Sequence, residues 1–182
     1  KFFYKLSNGI IVNSKEIQNT LKKDYQLSSY LVRNEIDEKK IKKLSKKKIN
    51  SNFFNKKSSK ILINVGRLDY NKNQEFLIKS LYKIEEKYKF NLLILGSGYK
   101  KNNLLYLIEK FKLNDRVKII NFKTNPYPFI LKSDGLVLSS FYEGYPNVLI
   151  EAGILNKIIF SSDCKSGPKE ILNKNKNEYL YK

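Results

Sequence analysis

Two carboxylates eight positions apart, Glu143 and Glu151, bracket the stretch Gly144-Tyr145-Pro146-Asn147-Val148-Leu149-Ile150. The apolar run 135–138 ahead of them reads as a buried strand. The residues from Pro146 to Leu155 read as a helix, with Pro146 at its first position, where a missing N–H costs nothing. A helix start preceded by a glycine is an anion site. One glutamate would stand in the loop ahead of that site, the other more than a turn inside the helix. Two cations belong to the same chemistry. Arg67 and Lys72 follow Gly66 at the end of another apolar run, 61–65. A planar guanidinium and a mobile ammonium at one strand end suit a diphosphate. Carboxylates flanking them suit hydroxyl groups. Together they fit a diphosphate between two polyhydroxylated rings, that is, a nucleotide sugar. The competing reading is a surface turn with solvated glutamates and surface cations.

The elements that must position these residues alternate along the chain. Strands are expected at 61–65, 91–95, 116–122, 135–140, 158–162 and 178–181. Helices are expected at 73–88, 102–111, 126–132, 146–155 and 168–172. Short apolar strands between helices imply an α/β fold, a Rossmann-like parallel sheet with helices on both faces. Ligands of such sheets bind outside the carboxyl ends of the strands. The chain's glycines and polar residues collect there: Gly66-Arg67, Gly96-Ser97-Gly98, Asn125-Pro126, Glu143-Gly144 and Ser166-Gly167-Pro168. Gly96-Ser97-Gly98 lacks the third glycine of a dinucleotide fingerprint, and no P-loop pattern occurs. Ahead of this unit, a helix end at 1–6, strands at 9–13 and 30–34 and a helix from Ser14 form a fragment too small to bury its own sheet. It reads as the tail of another domain. The division expected is 1–37 for that tail, 38–59 for a basic linker and 60–182 for the ligand-binding domain. With Lys1 in place of methionine, the sequence reads as a piece of a longer protein, and a closing helix is expected beyond it.

Composition limits the classes. The 182 residues carry a net charge of +19, and residues 1–60 hold 16 basic against 5 acidic side chains. An anionic membrane surface is therefore a candidate partner for the basic N-terminal part. Nucleic acid is not, because only three of the 36 basic residues are arginine, the residue that reads phosphates and bases by its fork. No histidine occurs, so no His-dependent mechanism or His-ligated metal is available. The lone Cys164 excludes a disulfide framework and fits a cytoplasmic protein. No Asp-x-Asp pair lies at a strand end, so no metal cofactor is expected and protein cations would take its place.

The motifs Val65-Gly66-Arg67-Leu68 with Lys72-Asn73, Leu95-Gly96-Ser97-Gly98, Tyr142 to Ala152 and Ser162 to Leu172 stand in a fixed order. In that order and spacing the chain resembles the retaining nucleotide-sugar glycosyltransferases of GT-B architecture, family four. The resemblance covers residues 60–182, the donor half, and more weakly 1–37, the end of the acceptor domain. It implies that Arg67 and Lys72 hold the donor diphosphate. Glu143 would bind donor-sugar hydroxyls and Glu151 the ribose. Gly66 and the backbone of Gly144, Tyr145, Pro146, Asn147, Val148 and Leu149 would cradle sugar and phosphates, and Asn121 and Phe122 would lie near the base. Glu143, Arg67 and Lys72 carry the catalytic expectation, through positioning and charge stabilisation. The implied reaction moves a sugar, from a UDP carrier by preference, to a glycan or lipid-linked acceptor with retention, in bacterial surface polysaccharide or lipooligosaccharide synthesis. The implied place is the cytoplasm, peripheral on the inner face of the membrane. Two departures stand out: Asn156-Lys157-Ile158 where the family has Gly-Lys-Pro, and Asn121 where it has glycine. A related epimerase and a non-catalytic basic module are the other readings. The first would need a cleft histidine, the second basic residues gathered on one face with aromatics.

Overall fold

The computed structural model describes residues 4, 6–55, 59–84, 88–172 and 178–182. Six strands make one wholly parallel sheet: β3 (Lys60–Val65), β4 (Phe90–Leu95), β5 (Val117–Ile120), β6 (Gly135–Leu138), β7 (Ile158–Ser162) and β8 (Glu178–Tyr181). Their spatial order is β5-β4-β3-β6-β7-β8. The chain walks outward from β3 to β5, crosses back, and walks outward again from β6. The order therefore reverses between β3 and β6, which opens a crevice above their carboxyl ends.

Both sheet faces are covered because each strand alternates. Ile61, Ile63, Leu93, Leu95, Leu136 and Leu138 point to one side, where α2 (Glu38–Ser45), α5 (Tyr127–Lys132) and α6 (Asn147–Ile154) add Ile41, Ile130, Leu149 and Ala152. Leu92, Ile94 and Val137 point to the other. There α3 (Gln74–Lys83) adds Leu77, Ile78 and Leu81, and α4 (Lys101–Lys110) adds Leu104, Leu107 and Ile108. Each fully buried aliphatic side chain contributes about 1.5–3 kcal/mol. The expected helix 73–88 ends early. Ile84 is already extended at its C-cap, and residues 85–87 lie outside the described ones. Ile78 and Gln74 face inward, whereas Phe76 is 42% exposed and stacks on Tyr181 at 5.8 Å. Most of the expected helix end at 1–6 also lies outside the described residues.

Pairing of β3 with β6 is recorded at Leu62–Gly135 and Ile63–Leu136. One step on, the buried Asn64 side chain donates to the Val137 carbonyl at 2.8 Å and takes over the bridge. Glycine closes the neighbouring loop. A Cβ on Gly96 would sit 1.8 Å from the Gly66 carbonyl oxygen, whereas one on Gly153 would meet nothing within 4 Å. Gly96→Ala is therefore expected to cost about 1–3 kcal/mol or more. Gly153→Ala, inside α6, is expected to gain about 0.5–1 kcal/mol. Denaturant unfolding of the two variants reads both signs.

Ahead of the sheet, β1 (Ile11–Val12) and β2 (Tyr30–Leu31) pair in parallel around α1 (Lys15–Tyr25). The segment expected as the basic linker, 38–59, packs on the sheet through its apolar side chains. Asp37 caps α2 by accepting from the Lys40 amide, Ile41 enters the core at 3% exposure, and Ile49, Phe53 and Phe54 pack against the same cluster. Lys39, Lys40, Lys42 and Lys43 remain on its outer face.

Candidate donor-binding site

The loop leaving β3 and the loop leaving β6 face each other across the crevice, and Asn71 joins them. Its Nδ2 donates to the Tyr142 carbonyl at 3.0 Å, its Oδ1 accepts from the Tyr142 amide at 3.1 Å, and its carbonyl accepts from the Phe141 amide at 2.9 Å. Ser139 Oγ donates to the Lys72 carbonyl at 2.8 Å. Asp69 Oδ1 accepts from the Lys72 amide at 3.0 Å, which turns the chain before α3. The buried Gln74 holds the Arg67 carbonyl at 2.8 Å.

Within this frame Lys72 and Glu143 meet. Lys72 Nζ lies 2.5 Å from Glu143 Oε1, with side chains only 18% and 10% exposed. Ser140 Oγ donates to the same oxygen at 2.5 Å. Ser166 Oγ donates to the Glu143 carbonyl. The 166–168 turn clasps this loop so closely that a Cβ on Gly167, at φ 74°, would lie 2.5 Å from the Gly144 carbonyl oxygen. Arg67 differs from Lys72. Its side chain is 80% exposed, with Nε 3.3 Å from Asp69 Oδ2, so its fork is free to turn toward a phosphate.

Arg67 and Glu151 line one cavity of about 460 Å³, together with Gly66, Gly96, Phe122 and Tyr127. Glu151 sits on the fifth residue of α6, and Tyr127 Oη donates to its Oε1 at 3.4 Å. Burial pushes the Glu151 carboxyl above the usual carboxylate range, and the Tyr127 hydroxyl offsets part of that. Burial and the nearby carboxylate push the Tyr127 phenol up in turn. The arrangement offers a half-buried acceptor, an arginine fork and the exposed ring of Phe122 around one space. Those groups suit a ribose, a phosphate and a base.

The other expected residues fall into three groups. Pro146 is the N-cap of α6, with φ −73° and ψ 99°, one position earlier than its ring alone suggested. The Pro146 carbonyl accepts from the Leu149 amide at 3.1 Å, so that amide is already used. Leu149 and Val148 turn their side chains to the core. Gly144, Tyr145 and Asn147 meet the N-terminal unit: Asn13 lies against Gly144, the Arg33 guanidinium is 5.2 Å from the Tyr145 ring centre, and Asn34 donates to Asn147 at 3.0 Å. Glu170 adds to that contact by accepting from the Glu16 amide and from Arg33. Asn121 is held away from the cavity, its Oδ1 accepting from Lys101 Nζ at 2.8 Å. Ser140, Asn71 and Tyr127 lie outside the expected site, yet they fix the loops and both glutamates. Ser140 just past β6 and Tyr127 at the start of α5 carry a signal in their place; Asn71, in mid-loop, carries none. Among the described residues no group of three His, Cys, Asp or Glu side chains is placed to hold a metal ion, and no helix is long and apolar enough to cross a membrane.

A doubly wound sheet with cations and carboxylates at the carboxyl ends of its strands offers a crevice for an anionic, hydroxyl-bearing ligand. The chain belongs to the family of glycosyl transferases group 1, whose model matches residues 45–182. An uncharacterized glycosyltransferase of Methanocaldococcus jannaschii is 39% identical over 177 residues, 94% of this chain and 44% of the relative. The N-acetylgalactosamine-N,N'-diacetylbacillosaminyl-diphospho-undecaprenol 4-alpha-N-acetylgalactosaminyltransferase of Campylobacter jejuni is 37% identical over 112 residues, 62% of this chain and 30% of the relative. The chain thus spans less than half the length of these curated relatives. Among solved structures, a mutant of S. aureus TarM in complex with fondaparinux, alpha-GlcNAc-glycerol and UDP superposes with a TM-score of 0.81 at 22% identity, over 98% of this chain and 34% of that one. Anabaena HepE in complex with UDP does so at 0.76 and 19%, over 96% and 50%. Those likenesses establish the fold, that of the GT-B glycosyltransferases.

Proposed function

We propose that the chain is the donor-binding half of a retaining GT-B glycosyltransferase of family four. In this reading it moves a sugar from a nucleotide diphosphate, UDP by preference, to a glycan or lipid-linked acceptor. The observation that carries the proposal is the shared crevice. Arg67 and Glu151 line one cavity, and the loop that holds Arg67 also carries Lys72, paired with Glu143. The UDP in the TarM and HepE complexes supports the carrier. The transferases of bacterial glycans among the relatives support a role in surface polysaccharide or lipid-linked glycan synthesis.

In the proposed reaction the bond from the sugar's anomeric carbon to the diphosphate breaks. A bond to the acceptor oxygen forms on the same face, and the acceptor's proton passes to the departing diphosphate. Arg67 and Lys72 stabilise the charge that develops on the diphosphate, and Glu143 positions the sugar hydroxyls. No metal takes part. Full-length enzyme is expected to keep its turnover in excess EDTA; loss with the chelator and recovery with Mg²⁺ or Mn²⁺ would refute this. Titration of the chain with UDP tests the donor site directly, and the absence of measurable binding would sink the proposal. Residues 1–37 belong, in this reading, to the acceptor domain. The exposed lysines of α2 then draw the enzyme to the anionic inner face of the cytoplasmic membrane.

A further inference from the structure

The two loops that carry the ion pair also carry a pair of aromatic rings. Tyr70 stands two residues before Lys72, and Phe141 two before Glu143. Their ring centres are 5.1 Å apart with planes inclined by 32°. Neither ring is used in the core: Tyr70 is 65% exposed and Phe141 49%. Both are nonetheless held in place. The Tyr70 amide donates to Tyr99 Oη at 3.0 Å, and the Phe141 amide to the Asn71 carbonyl at 2.9 Å. Tyr99 and Tyr142, also well exposed, extend the rim. Beside the rings a cavity of about 250 Å³ is lined by Asp69, Asn73, Glu75 and Lys100 as well as by Tyr70 and Phe141. Gln74 stands in its wall, and its buried Oε1 has no hydrogen-bond partner among the described residues.

We propose that Tyr70 and Phe141, with the polar cavity beside them, form a subsite for a saccharide ring of the acceptor. The reading rests on the transfer activity proposed above. A pyranose has an apolar C–H face and a rim of hydroxyl groups. It is recognised by a flat aromatic surface next to carboxylates, amides and ammonium groups, which is the composition found here. Tyrosine supplies such area at low entropic cost. The position also fits, since the two loops that carry the Lys72–Glu143 pair carry the two rings, each two residues away in the chain. A lipid surface is the poorer occupant, because Asp69 and Glu75 balance Lys79 and Lys100 in the cavity wall and leave no net positive charge to draw anionic headgroups.

The test uses the full-length protein with UDP-sugars and a panel of hexose and N-acetylhexosamine glycosides as acceptors. Tyr70→Ala and Phe141→Ala are expected to raise the acceptor KM about tenfold or more. UDP affinity should stay as in the parent, and Phe141→Trp should retain the parent KM. Unchanged acceptor KM overturns the subsite. Parallel loss of UDP affinity also overturns it and assigns the rings to the donor. Loss of binding to phosphatidylglycerol vesicles with acceptor KM unchanged overturns it in favour of a membrane contact. If the parent protein turns over no UDP-sugar with any acceptor yet binds UDP, the transfer reading itself fails, and the subsite with it.

Discussion

Lys72→Met in the full-length enzyme is expected to lower kcat by about 10²–10³-fold, the usual cost of removing one donor aimed at developing charge. The difficulty is to separate that loss from a structural one. Lys72 Nζ is 2.5 Å from Glu143 Oε1, and both side chains are largely covered. Removing one partner of a fully buried pair costs about 3–5 kcal/mol, because the other charge is left uncompensated. Here the remaining exposure and the Ser140 hydroxyl reduce that penalty. Lys72→Met alone should therefore unfold at a lower temperature. The double variant Lys72→Met, Glu143→Gln removes both charges and should recover most of the lost stability. It should recover none of the rate, since in the proposed reaction both groups act on the donor. Thermal unfolding and steady-state kinetics on the single and double variants decide the matter. Recovery of kcat together with Tm would show that Lys72 serves the fold alone.

The pairing also explains what the sequence could and could not show. The parallel sheet with two covered faces was legible because β3, β4 and β6 are short apolar runs set between helices, and a buried parallel sheet needs that pattern. The crevice followed, since glycine and polar residues gather at the strand ends. Boundaries were harder. Helix α3 stops at Lys83 although its periodicity continues, and Ile84 is already extended. The partners of the site residues were hidden for a different reason. Asn71 joins Tyr142 across 71 positions, and Tyr127 reaches Glu151 across 24. Such contacts depend on the strand order, which no local pattern encodes. In the lysine-rich segment 38–48 the outer face is set by composition, whereas the seat of Ile41 against α5 and α6 depends on the strand order as well.

Glu151→Gln is expected to separate binding from stability in opposite directions. Glu151 stands inside α6 in the wall of the cavity it shares with Arg67, with Tyr127 as its hydrogen-bond partner. Charge-assisted hydrogen bonds are worth about 1.5–3 kcal/mol each. Loss of one to the ribose should weaken UDP binding about ten- to a hundredfold by calorimetry. Unchanged affinity would remove Glu151 from the ribose site. Stability moves the other way. Burial raises the Glu151 carboxyl above its ordinary value in the folded state, so the ionised form burdens the fold. That burden is absent below the unfolded carboxylate pKa, about 4.3, and grows as pH rises through the raised folded value. At neutral pH Glu151→Gln should therefore unfold at a higher temperature than the parent, and the gap should close as pH falls toward 4. The same titration should weaken UDP binding to the parent on acidification. The terminal phosphate of UDP also takes up a proton there, so the ratio of the two proteins' affinities is the readout. That ratio should shrink toward one as the parent's carboxyl protonates. A ratio constant from pH 8 to pH 4 would show that the ionised carboxylate is not what the nucleotide meets.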